Sequence, residues 1–311
     1  MLFRSRRTFA EFQLLRKVIR TTRPSMVVCL AITPATLVAL RVMWELGIYR
    51  GPVSVVVHGV LSETMASRRR NPLAALFQLR SAIYLSPGST RIVVLDPSII
   101  ETLRERQDAL ASRLECIALP MPLDLTVRGF KREESAPVKV GFLGFANDAK
   151  GFREFVMLAE ETVRNPASSI EFHAIGSYEP GYSPPDDRVL RSRPSSTPLV
   201  REDYVTRLQE IDYACLPLRS HYSLAASGTL LDAIGAGKPV ICLTSAATRS
   251  LFAEGSPGYL CADLAQMQDV LRALATEARA DAYERQVLAM CNAREHRSLE
   301  RSVAALGRLW N

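Results

Sequence analysis

Leu216–Leu243 reads LPLRSHYSLAASGTLLDAIGAGKPVICL, and the order of its parts decides the fold. An apolar strand ends at Leu216. A polar loop follows with Arg219, His221, Tyr222 and Ser223. Ser227-Gly228-Thr229 then opens a helix to Ala236, and Val240–Leu243 is a second buried strand. Buried apolar strands separated by a helix make a parallel α/β unit. The start of that helix carries chemistry. Glycine lets a ligand approach the backbone closely, and the free amides and dipole of a helix start hold anions, phosphate above all. Asp232, one turn in, offers a carboxylate to a sugar hydroxyl. The plainer alternative is that Ser227 is only an N-cap and Asp232 only complements the dipole. Gly235-Ala236-Gly237-Lys238-Pro239 looks like a phosphate loop, but Asp232 stands where that motif needs its first glycine and Pro239 where it needs Ser or Thr. It follows a helix and precedes a strand, so it reads as a helix C-cap and strand entry.

Outward from this stretch the alternation continues. Towards the N-terminus it predicts strands at Val138–Leu143, Ile170–Ile175 and Tyr213–Leu216. Helices are expected at Gly151–Arg164 and Tyr204–Ile211, with a polar loop over Gly176–Pro198. After Leu243 only helices are expected. In the first half, helices are expected at Phe9–Thr22, Thr36–Leu46 and Ile99–Leu114. Strands are expected at Met26–Ile32, Val53–Val57, Ile92–Leu95 and Cys116–Leu119. Pro120–Pro137 has three prolines, a charge cluster (Lys131, Arg132, Glu133, Glu134) and no periodicity, and reads as linker. The expected organisation is an α/β chain of two Rossmann-like parallel-sheet domains, 1–125 and 138–311, joined by 126–137 and facing across a cleft. Ligands of such sheets sit at the carboxyl ends of the strands.

Two further stretches hold candidates. In Val140–Phe152 (VGFLGFANDAKGF) a strand runs into Gly144, and Lys150-Gly151 precedes a helix. Lys150 is either a cation for a diphosphate or an ordinary solvated lysine. His58-Gly59 ends a strand of the first unit. His58 is either structural, or a donor to a sugar or phosphate, or an acid/base group. His173, His221 and His296 show no metal spacing with it.

Composition sets limits. The chain of 311 residues is 48% hydrophobic and 23% charged, which excludes disordered, collagenous and coiled-coil classes. The six cysteines are singletons with no C-x-x-C pair, so neither a zinc knuckle nor a disulfide scaffold is indicated. The net charge of +7 is concentrated in the first 70 residues, which hold 12 Lys and Arg against 3 Asp and Glu. Such a basic face either meets phosphates or anionic lipid or merely solubilises the chain. It lacks the interleaved aromatics of a nucleic-acid module. The apolar run Met26–Leu40, behind Arg16, Lys17, Arg20 and Arg23, imitates a membrane anchor. At about 15 residues it is short of the roughly 20 a span needs. Thr33-Pro34 divides it, and a buried strand followed by a buried helix is expected.

The second half resembles the donor-binding domain of GT-B glycosyltransferases, nearest to the group 1 (family-four-like) set. The resemblance rests on the loop from Gly144 to Lys150-Gly151, on IEFHAIGS (Ile170–Ser177), on LQEIDYACLPL (Leu208–Leu218) and above all on SGTLLDAIGAGKPVI (Ser227–Ile241). It covers roughly residues 138–275. RPSMVVCLAI, VSVVVHG and IVVLDPSI resemble, more weakly, later strands of the family's acceptor domain. The resemblance implies a nucleotide-diphosphate sugar as donor substrate, with no further cofactor. It implies that Gly144 and Lys150 meet the diphosphate and that Ser227, Gly228 and Thr229 hold its distal phosphate. It puts Asp232 in the place of a ribose-binding glutamate and His58 near the transferred sugar. Metal is not implied, and the chain has no D-x-D motif.

Three departures stand out. The family's arginine five residues before Lys150 is Phe145, the first glutamate of its E-x7-E pair is Leu224, and the second is Asp232. Arg219 or His221 is the candidate replacement cation. The first domain is expected to be a shortened acceptor-side unit of about four strands. The expected activity is metal-independent transfer of a sugar to a glycan or lipid-linked acceptor in surface polysaccharide assembly. Its expected place is cytoplasmic, with peripheral contact at the anionic inner face of the membrane and no nucleic-acid partner. The alternatives are a catalytically degenerate nucleotide-sugar-binding relative or partner subunit of an active transferase, and a nucleotide-sugar epimerase.

Overall fold

A computed structural model describes residues 2–58, 61, 78–128, 136–166, 168–218, 224–253, 255–276 and 280–310. The chain divides into two units, Met1–Leu119 with His221–Ala226, and Pro120–Ser220 with Ser227–Asn311.

The first unit holds α1 (Leu2–Thr22), β1 (Val27–Cys29), α2 (Pro34–Glu45), β2 (Val53–Val56), α3 (Leu79–Tyr84), β3 (Thr90–Val94), α4 (Pro97–Glu105) and β4 (Leu114–Cys116). All pairings are parallel and the strands lie in chain order, β1-β2-β3-β4. The β-branched run of β2 is buried throughout, as an inner strand covered on both faces should be. The apolar run Met26–Leu40 divides where expected. Thr33 precedes Pro34 at the first position of α2, where its missing N–H costs nothing. Glu11 of α1 accepts from Thr33 Oγ1 (3.1 Å) and from Thr36 Oγ1, which ties the two helices at that point. No helix among the described residues is long and apolar enough to cross a membrane.

Three expectations for this unit need correction. The strand expected over Met26–Ile32 is only three residues long. The helix expected over Ile99–Leu114 breaks. Asp96 caps α4 by accepting from Ser98 N, Gln107 takes a left-handed φ of 53°, and Asp108 opens a 3-10 turn over Ala109–Arg113 by accepting from Leu110 N. Arg80 holds the same aspartate with bonds of 2.6 and 2.9 Å. The last strand is therefore Leu114–Cys116 instead of Cys116–Leu119.

The second unit holds β5 (Val138–Leu143), α5 (Phe152–Val163), β6 (Ile170–Ile175), α6 (Arg201–Glu210), β7 (Tyr213–Leu216), α7 (Gly228–Ala236), β8 (Val240–Leu243), α8 (Ala246–Ala253) and β9 (Gly258–Cys261). Three helices follow, α9 (Leu264–Thr276), α10 (Ala280–His296) and α11 (Leu299–Trp310). β9 corrects the expectation of helices alone after Leu243. α6 starts three residues earlier than expected, with Glu202 and Asp203 in its first turn, where the dipole favours carboxylates. The sheet is parallel with order β6-β5-β7-β8-β9. The chain steps from β5 to one side and then returns to its other side, so the winding reverses between β5 and β7. Such a reversal opens a crevice at the carboxyl ends of the strands. Phe142, Phe152, Phe155 and Phe172 form a buried aromatic cluster between β5, β6 and α5. Cys215, Cys242 and Cys261 are fully buried on the three adjacent strands β7, β8 and β9, while Cys29, Cys116 and Cys291 are partly accessible.

Candidate functional site

A cavity of about 360 Å³ lies in the second unit, where the ends of β5 and β6 meet the start of α7. Gly144, Phe145 and Lys150 line one wall, Gly176 and Ser177 continue it from β6, and Gly228, Thr229 and Asp232 form another from α7. α6 and the residues before it close it with Pro198, Leu199, Arg201 and Tyr204.

The helix start is capped by its own serine. Ser227 is the N-cap, its Oγ accepting from Leu230 N at 3.2 Å and lying 3.1 Å from Thr229 Oγ1. Leu231 N bonds to Ser227 O. The N–H groups of Gly228 and Thr229 have no acceptor among the described residues, and the space over Gly228 is open. Unpaired amides and the dipole at a helix start favour negative charge. At its other end α7 stops at Gly237, which has a left-handed φ of 67°, and β8 begins at Val240. The sequence between them is thus the C-cap and strand entry expected.

Lys150 reaches over Gly144. That glycine has φ of 87°, and a Cβ built on it would lie 2.8 Å from Lys150 Nζ and 3.1 Å from Thr229 Cγ2. Asn147 Oδ1 accepts from Lys150 N at 2.7 Å and sets the turn that aims the side chain. The ammonium itself makes no hydrogen bond or salt bridge among the described residues. Burial lowers its pKa from the ordinary lysine value, against the pull of Asp232 and Glu179.

Asp232 is held from α6. Tyr204 Oη donates to Asp232 Oδ2 at 2.9 Å, and Arg201 Nη1 lies 3.4 Å from Oδ1. Arg201 also bonds Asp124 at 2.6 and 3.0 Å, and its guanidinium lies 5.3 Å from the Tyr204 ring centroid. Burial raises the Asp232 pKa, and the Tyr204 and Arg201 contacts oppose that rise.

Of the residues read from sequence, Gly144, Lys150, Gly228, Thr229 and Asp232 line this one cavity, and Ser227 caps its helix. Arg219 and His221 lie outside the described residues. His58 is exposed at the end of β2, in the first unit. Phe145 is 45% exposed in the cavity lining, and Leu224 is 1% exposed in the first unit's core. Arg201 and Tyr204 were missed. The charged run Arg201-Glu202-Asp203 looks like a solvated loop, and only the winding reversal places it beside β5 and α7.

A parallel sheet whose winding reverses at a cavity, with two helix-start amides free among the described residues, is a Rossmann-like arrangement. Residues 137–277 match the family described as Glycosyl transferases group 1. No curated protein matches the chain. Among solved structures it is similar to a sucrose-phosphate synthase from Thermosynechococcus elongatus, with 14% identity and a TM-score of 0.66 over 96% of this chain and 76% of that one. HepE from Anabaena, in complex with UDP and glucose, gives 14% identity and 0.66 over 96% and 81%. A glycosyltransferase from Rickettsia africae gives 10% and 0.66 over 97% and 80%. These likenesses extend over both units and show the two-unit, Rossmann-like GT-B fold.

Proposed function

We propose that the protein is a glycosyltransferase that moves a sugar from a nucleotide-diphosphate sugar to a glycan or lipid-linked acceptor in surface polysaccharide assembly. The observation that carries the reading is the cavity where two free amides of α7 and the uncommitted Lys150 ammonium converge, with the Asp232 carboxylate beyond them. HepE holds UDP and glucose in the structure it is similar to, which supports a uridine nucleotide as the first donor to try.

The chemistry follows from charge. When the bond between the sugar and the diphosphate breaks, negative charge grows on the departing oxygen. The Gly228 and Thr229 amides and the Lys150 ammonium oppose it with donors already in place. Asp232 accepts from a hydroxyl group of the nucleoside. Arg219 would add a cation to the phosphates, and His58 would act at the transferred sugar as acid, base or hydrogen-bond donor.

Thermal-shift screening against nucleoside diphosphates and their sugars tests the reading. A ligand at about 100 times its Kd stabilises its host by roughly 2.7 kcal/mol. A shift with one nucleotide sugar, followed by release of the matching diphosphate in the presence of an acceptor, is the expected result. Lys150→Ala is then expected to lower kcat by about 10²-fold or more, the usual scale for removing one such donor. Release of an isomerised sugar without acceptor would mean an epimerase instead.

A second reading is a relative that binds the nucleotide sugar without turnover, as a partner of an active transferase. Phe145 and the buried Leu224 favour it, because the resemblance expects charged side chains there. Binding with no turnover on any acceptor would select it.

The basic first 70 residues support peripheral contact with an anionic membrane face, to which each basic side chain near the surface adds about 1 kcal/mol. Equal sedimentation with anionic and neutral liposomes would exclude it.

A further inference from the structure

We infer that Tyr204 and Arg201 are positioning residues for Asp232, fixing its carboxylate as an aimed anionic acceptor for a hydroxyl group of a nucleoside diphosphate. The inference rests on the nucleotide reading above and goes further into the same cavity. Tyr204 Oη donates to one oxygen of Asp232 at 2.9 Å, and Arg201 approaches the other at 3.4 Å. Arg201 Nη2 also reaches that oxygen, at 3.5 Å, so both acceptor positions of Oδ1 face the guanidinium, while Oδ2 keeps one of its two for a ligand. The open position on Oδ2 suits a ligand hydroxyl group, and the guanidinium fixes the plane of the carboxylate that presents it. Arg201 is itself anchored, by two bonds to Asp124 and by its place over the Tyr204 ring. The brace is therefore a connected set, in which Asp124 holds Arg201 and both α6 side chains hold Asp232.

The carboxylate needs it. Burial disfavours the charged form, and a protonated Asp232 would present a donor where the ligand needs an acceptor. The groups facing it are Tyr204 and Arg201 from α6, Asp124 from the chain before β5, and Lys150 from the turn after β5, with Glu179 acting on that lysine. Arg201, Lys150 and the Tyr204 hydroxyl favour the anion, and Asp124 opposes it. Removing either brace residue shifts the balance towards protonation.

The test uses the full chain and two readouts. First, the carboxyl carbon of Asp232, assigned with Asp232→Asn, is titrated by NMR without nucleotide. Tyr204→Phe and Arg201→Gln are each expected to move its midpoint up by roughly one pH unit, the scale of one lost hydrogen bond or nearby charge. Second, UDP affinity is measured from pH 5 to 8. Both variants are expected to bind about five- to tenfold more weakly, with the loss largest at low pH and following the new midpoint. A purely structural role would weaken binding evenly across pH. Unmoved midpoints would overturn the brace. Moved midpoints with a parallel pH profile would overturn the acceptor role. If UDP, ADP and GDP all fail to bind the unaltered chain, the nucleotide reading and the acceptor role fall together, while the midpoints still decide the brace.

Discussion

Gly151 shows how much a single position can demand. It caps α5 with φ of 78°, and a Cβ there would overlap the Pro217 carbonyl oxygen at the end of β7. Gly151→Ala combines a left-handed backbone with a clash against backbone that cannot swing away. A loss of about 2–3 kcal/mol or more is expected, read as a lower Tm. Lys238 poses a different problem. It is 2% exposed, its Nζ donates to Gln209 O at the C-terminus of α6 at 2.8 Å, and burial pushes its pKa down to about 8. Between pH 8 and 10 the unfolded chain holds a proton that the folded chain has released, so stability rises with pH across that window. Lys238→Met is expected to abolish the rise, which thermal melts at matched ionic strength would reveal. Phe145 completes the set. Within the cavity Lys150 is the one cation that is not paired among the described residues, so Phe145→Arg is expected to tighten UDP binding several-fold, with a steeper dependence on salt. An unchanged Kd would mean that residue 145 does not meet the phosphates.

At the scale of elements, α7 is a short helix whose start does two jobs. Ser227→Ala removes the acceptor for Leu230 N, and a loss of about 1 kcal/mol is expected in denaturant melts. Because the Gly228 and Thr229 amides are not those the cap occupies, nucleotide affinity should fall much less than it does in Lys150→Ala. This helix was fully legible in sequence, with a capping serine, an apolar run and a terminal glycine in order. β5, β6, β7 and β8 were legible for a similar reason, being apolar runs with clear stops. β9 was not, because Gly258-Tyr259-Leu260-Cys261 has no β-branched residue and follows Ser256-Pro257, which reads as loop. The break after α4 escaped because apolar residues continue across it at helical spacing, and only Asp108 capping a new turn ends the helix. In the site, local motifs revealed the phosphate end. The α6 wall was hidden, because Arg201 and Asp232 meet through strand order and are 31 residues apart in the chain.

At the scale of the molecule, each unit has its own parallel sheet and its own apolar core. Calorimetry is expected to resolve more than one transition, and UDP should raise the one belonging to the second unit, which holds the cavity. A uniform shift of a single transition would mean that the units unfold together. The charge distribution belongs to this scale too. With the excess cations in the first 70 residues, retention on anionic surfaces should follow the first unit and weaken with salt.

The thiols of β7, β8 and β9 turn the second unit into its own clock. Cys215, Cys242 and Cys261 lie side by side in the sheet and out of reach of any reagent while it is closed, and burial also holds each thiol in its unreactive, protonated form. Pulsed alkylation followed by mass spectrometry would therefore count how often this unit opens, without an added label. Slower tagging of these three in the presence of a nucleotide would time ligand residence, with the more accessible Cys29, Cys116 and Cys291 as internal standards.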